Sequence, residues 1–147
     1  MYKRILAPLD GSKRAEAILP HVEKLAQSNK TSVIFMQVIE PVLIAAGVEF
    51  AYQSKEEYEV LEKKAGEYLA GLQGEFREKG IDVRVFITHG PVVEAIIRAA
   101  KQEDADLIAI ASHGRTGLSR VFYGSVAAGV LHRIDRPLLL IRSAGQD

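Results

Sequence analysis

Five short runs of apolar, mostly aliphatic residues punctuate the chain: residues 3–9 (KRILAPL), 31–38 (TSVIFMQV), 82–87 (DVRVFI), 106–111 (DLIAIA) and 138–142 (LLLIR). They show little alternation of apolar and polar positions, as expected of strands covered on both faces. Between them apolar residues recur at helical spacing: Ala15, Ile18, Leu19, Val22, Leu25 and Ala26; Tyr58, Leu61, Ala65, Leu69, Leu72 and Phe76; Val93, Ile96, Ile97 and Ala100; Val126, Ala127, Val130, Leu131 and Ile134. Each stripe gives its helix one face to bury. Strand and helix thus alternate as βαβαβαβαβ. This predicts an α/β fold with a single doubly wound, five-stranded parallel sheet, four main helices on its two faces and right-handed crossovers.

The punctuation agrees. Ser12 and Ser125 are placed to cap the first and fourth helices, Pro91 to take the first helical position after Gly90, and Pro137 to part the fourth helix from the last strand. Residues 41–54 (PVLIAAGVEFAYQS) are more apolar than an ordinary loop. The simplest expectation there is a short extra helix on the core, with a mobile lid or a subunit contact as alternatives. Ligands of doubly wound sheets bind beyond the carboxyl ends of the strands, where strand order reverses. For the order 3-2-1-4-5 that point lies between the first and fourth strands, where Ala7-Pro8-Leu9-Asp10-Gly11-Ser12 would face Ala111-Ser112-His113-Gly114.

Composition narrows the classes. The 147 residues are 48% hydrophobic and 26% charged, which fits one core and one domain over 1–147. Lys and Arg number 19 against 19 Asp and Glu, so a broad phosphate-neutralising surface, and with it nucleic-acid binding, is not expected. The absence of cysteine excludes disulfide scaffolds, thiolate metal sites and cysteine nucleophiles. No apolar run approaches the ~20 residues that span a bilayer. The opening run is broken by Pro8 and Asp10 and lacks a signal-peptide core. The expectation is a cytoplasmic protein without membrane insertion.

Charge is distributed unevenly. Residues 112–142 hold five arginines and one acid. Within them, the stretch 112–125 (SHGRTGLSRVFYGS) has three glycines, four Ser/Thr hydroxyls, Arg115 and Arg120, with no acid, and it runs from a strand into a helix. Glycines admit close approach of backbone N–H groups, and a helix N-terminus offers free donors and partial positive charge. The segment has the makings of an anion cradle; the alternative is a flexible surface loop.

The same residues carry a family resemblance. Gly114, nine residues, then Gly124-Ser125 is similar to the signature of the ATP-binding subclass of the universal stress protein family, which reads Gly, two residues, Gly, nine residues, Gly and Ser or Thr. Ala111 stands where that signature begins with glycine. The opening KRILAPLDGS, MQVIE, HGP, ADLIAIASHGR and RPLLLI also resemble the family. The resemblance implies a Rossmann-like, adenine nucleotide alpha hydrolase-like domain that binds ATP, with Mg²⁺ held mainly by the phosphates. Carried over by position, it implies Pro8, Leu9, Asp10 and Val38 around adenine and ribose, and Gly114, Arg115, Gly124, Ser125 and Val126 around the phosphates, with Ala111, Ser112 and His113 at their base. It further implies a homodimer through the last strand, otherwise an exposed apolar edge, and an unidentified regulated protein as partner.

A P-loop and a G-x-G-x-x-G motif are both missing. A Ser112–His113 nucleophile lacks the G-x-S-x-G elbow, and no histidine cluster suggests a protein-held metal. The function expected is a nucleotide-sensing or regulatory dimer with little or no turnover. A nucleotide-free interaction protein of the same fold and a slow ATP hydrolase are the alternatives. Asp10 is placed to meet a ribose hydroxyl or a phosphate-bound Mg²⁺, with a simple cap on the first helix as the alternative.

Overall fold

The structure, a computed structural model, describes residues 1–40, 43–46, 49–52, 55–112 and 124–143. Its main sheet is parallel. Strands β1 (Arg4–Pro8), β2 (Ser32–Ile39), β5 (Val83–His89), β6 (Leu107–Ser112) and β7 (Leu138–Arg142) lie in the order β5-β2-β1-β6-β7. With the small strands β3 and β4 set aside, this is the expected order 3-2-1-4-5.

Apolar runs without alternation arise because successive side chains enter different cores, one on each side of the sheet. Ile5, Ala7, Val33, Phe35, Leu107 and Ala109 pack on one side against Val22 and Ala26 of α1 (Leu19–Asn29) and Leu69, Leu72 and Phe76 of α2 (Lys55–Glu78). Leu6, Ile34, Met36, Ile108 and Ile110 pack on the other against Ile96, Ala99 and Ala100 of α3 (Val92–Gln102) and Ala127 and Val130 of α4 (Ser125–Arg133). The rings of Phe35 and Phe76 meet edge to face at 5.0 Å, a geometry that adds to area burial.

Three local expectations change. Residues 41–54 contain no extra helix in their described part; β3 (Leu43–Ala46) and β4 (Glu49–Tyr52) pair antiparallel as a separate two-stranded sheet, with Leu43 opposite Tyr52. The isoleucine, phenylalanine and tyrosine of this stretch favour extended backbone. Pro91, at ψ 134°, stands before α3 as an extended residue, and the helix begins at Val92. Ser125 is the first residue of α4 rather than its cap: Gly124, at φ 78° and ψ 152°, takes the capping position, in a conformation that side-chain-bearing residues avoid. Ser12 does cap, its Oγ accepting the Ala15 N–H at 3.1 Å, but the first turn, Ala15–Ile18, is a 3₁₀ turn leading into α1.

At the far end of the sheet, away from the candidate site, the Asp106 carboxylate accepts the N–H groups of Lys3 (2.9 Å) and Arg4 (3.0 Å). Partial burial pushes its pKa up, but these bonds outweigh it and hold the group below the usual aspartate range.

Candidate nucleotide site at the strand switch point

β1 and β6 are neighbours over a short distance only. Their paired positions are Ile5 with Leu107 and Leu6 with Ile108, while β6 stays paired with β7 as far as Ser112 and Arg142. Beyond Leu6 the two central strands part, and a cleft opens between their carboxyl ends. Its empty space, counted to the open mouth, is about 770 Å³.

One wall is the loop after β1. Leu9 N–H reaches back to the Met36 carbonyl at 2.8 Å. Asp10 Oδ1 accepts the Ser12 N–H at 2.9 Å, an Asx turn, and Gly11 supplies the φ of 85° that the turn needs. Both roles considered for Asp10 are therefore compatible in part: one oxygen organises the entry to the helix, and the carboxylate still lines the cleft. The opposite wall is β6 and the start of α4. Gly124 is buried, its carbonyl accepts the Ala128 N–H at 3.0 Å, and no side chain among the described residues caps the helix. The N–H groups of Ser125, Val126 and Ala127 thus belong to the first turn, which has no intrahelical acceptors, and carry the positive end of the helix dipole.

The floor is apolar, formed by Val92, Ile96 and Ile110. Ser112 is 2% exposed, and its Oγ has no hydrogen-bond partner among the described residues. A buried hydroxyl left this way costs about 1–3 kcal/mol. Ala111 packs against the core on the α1/α2 side, so its methyl group has protein neighbours as well as the cleft.

Nine sequence-predicted residues come together here: Pro8, Leu9, Asp10, Val38, Ala111, Ser112, Gly124, Ser125 and Val126 all line the cleft. His113, Gly114 and Arg115 lie outside the described residues. The lining also includes Ser12, Arg14, Ala15, Val92, Ile96, Ile110 and Ala127, which sequence reasoning did not assign to the site. Ile96, Ile110 and Ala127 were legible as core positions, and their proximity to the mouth depends on where the strands part. Among the described residues, no group of three or more His, Asp or Glu is placed to hold a metal ion.

Residues 1–142 match the family model described as the universal stress protein family. The chain belongs to that family. Relatives among the universal stress proteins include MJ0577 of Methanocaldococcus jannaschii, 30% identical over 97% of this chain and 96% of its own length, and a Thermus aquaticus member, 32% identical over 97% and 100%. The solved structure of MJ0577 superposes with a TM-score of 0.77 over 99% of both chains at 28% identity. A universal stress protein solved in complex with cAMP shares the fold at a TM-score of 0.64 and 18% identity, over 97% of this chain and 98% of its own.

Proposed function

We propose that this universal stress protein binds an adenine nucleotide of the ATP type in the cleft between β1 and β6 and acts as a nucleotide-sensing or regulatory protein with little or no turnover. The observation that carries this reading is the pairing of an apolar slot with a helix N-terminus that no described side chain caps. An adenine ring suits Val38 and the aliphatic floor, Asp10 can accept a ribose hydroxyl, and the first-turn N–H groups of Ser125 and Val126 suit phosphate oxygens. Arg115, Gly114 and His113 belong to the same proposal through the family resemblance. Mg²⁺, with no protein cluster among the described residues to hold it, would be bound chiefly by the phosphates, and Asp10, which lines the cleft, is the acidic candidate to assist.

Assembly and location belong to the same reading. Among the described residues β7 pairs with β6 on one side only and ends the sheet, an edge that a second copy would complete. No described helix is long and apolar enough to cross a membrane, and a cytoplasmic site of action is proposed.

Calorimetry with Mg²⁺-ATP tests the central claim. Micromolar-range binding is expected, and no heat at about 100 μM protein and ligand, well above such a Kd, would leave a nucleotide-free interaction protein as the better reading. Sustained ADP release at about 1 s⁻¹ or faster, within the ordinary enzyme range, would replace the sensor with a hydrolase.

A further inference from the structure

A second cleft adjoins the first. It opens on the α2 side of the strand ends, with about 920 Å³ of empty space to its mouth, and shares Asp10 and Val38 with the nucleotide cleft as a common ridge. We propose that this second cleft is a sugar-binding lobe, which takes the ring of a polyhydroxylated group either free or as a substituent on the nucleotide next door. The nucleotide-linked form rests on the proposed function above; the lobe itself does not.

The chemistry of the lining selects the ligand class. Gln37 lines the lobe, and its buried Oε1 has no hydrogen-bond partner among the described residues; turned toward the cleft, it becomes an acceptor for a ligand hydroxyl. Tyr68 donates its hydroxyl proton to Glu16 Oε2 at 2.6 Å, and burial together with that carboxylate raises its pKa. Toward the cleft its oxygen therefore offers lone pairs only. Asp10 and Glu40 add further acceptors. Against these stands Lys64, a cation that requires an acceptor, one helical turn before Tyr68 on α2. A simple amine would satisfy the acceptors and oppose Lys64; a simple anion would do the reverse. A hydroxyl both donates and accepts, so a polyol satisfies both sets. Leu61, 37% exposed, and Ala65 give the apolar surface on which the C–H face of a sugar ring can rest.

The test compares ADP, ADP-ribose and free glucose on the full chain, by calorimetry and by backbone amide shifts. ADP-ribose is expected to bind roughly threefold to tenfold more tightly than ADP, the yield of one or two net hydrogen bonds. Gln37→Leu and, separately, the surface substitution Lys64→Ala should erase that margin while leaving ADP affinity unchanged. Glucose shifting the amides of Gln37, Lys64 and Tyr68 would support the lobe with a free sugar as its source. If ADP binds but ADP-ribose gains nothing, or gains a margin that both variants retain, and glucose moves none of these amides, the lobe is refuted and the nucleotide reading stands. Glucose shifts without any ADP or ATP binding would keep the lobe and refute the nucleotide reading.

Discussion

Gly129 lies on the face of α4 that meets α3, and replacing it by alanine sets two effects of known sign against each other. A Cβ at this position would sit 2.7 Å from Val93 Cγ2, 3.3 Å from Cγ1 and 3.5 Å from Cβ. Carbon atoms pack comfortably at about 3.5–4.0 Å, so the closest pair must separate by about 1 Å. Rotation of Val93 offers little relief, because a β-branched side chain in a helix holds essentially one χ1 rotamer and both of its methyl groups are near. The helices must therefore shift. Alanine is the better helix former by about 1 kcal/mol, while overpacking of this kind costs about 1–3 kcal/mol. The balance is a destabilisation of about 1 kcal/mol, with an upper end near about 2 kcal/mol. For a chain of this size it lowers Tm by about 2–4 °C per kcal/mol. Urea unfolding followed by far-UV circular dichroism reads the change. Val93→Ala alone should destabilise by leaving a void, and in the double variant the new methyl should partly fill it, giving a favourable coupling of about 0.5–3 kcal/mol. A Gly129→Ala protein more stable than the parent by about 1 kcal/mol, or a strictly additive double variant, would refute the packing argument.

Two further outcomes are expected. Gly124→Ala forces a side chain into φ 78°, ψ 152° and should destabilise by about 1–3 kcal/mol; it should also weaken ATP by displacing the first turn of α4, and unchanged affinity by calorimetry would remove that turn from the phosphate site. Asp106→Asn removes the charge that binds the Lys3 and Arg4 N–H groups. Because the folded-state pKa of Asp106 is depressed, its stabilisation is present above the unfolded value of about 3.9 and is lost as pH falls through the lower folded value. Denaturation series should show a deficit in the variant of roughly 1 kcal/mol at neutral pH that closes in acid; a gap that persists below about pH 2, beneath the ordinary aspartate range, would contradict the assignment.

Strand order and the two-sided core were legible because parallel strands buried on both faces leave a distinctive signature: Ile5 and Leu6, or Phe35 and Met36, are adjacent in sequence yet enter different cores. The glycine of the Gly124-Ser125 pair was legible as special, but its division of labour was not. Which of the two residues caps α4 depends on a φ/ψ pair that composition does not encode, and serine is ordinarily the better cap. A helix was expected where β3 and β4 pair, because short apolar runs do not distinguish the two periods. Arg14, Val92 and Ile96 reach the cleft through the splaying of β1 from β6, a tertiary event no local pattern announces. The Ser112 hydroxyl, unpartnered among the described residues, could be found only once its neighbours were known.

The short seam between β1 and β6 divides the sheet mechanically into two leaves, β5-β2-β1 and β6-β7. At one end of the seam the Asp106 carboxylate buttons the leaves together through Lys3 and Arg4; at the other they stand apart. A ligand in contact with both Asp10 and the start of α4 would fasten the open end. Occupancy would then register throughout the β6-β7 leaf as slower amide exchange, which turns the weakest join of the sheet into the place where binding is felt.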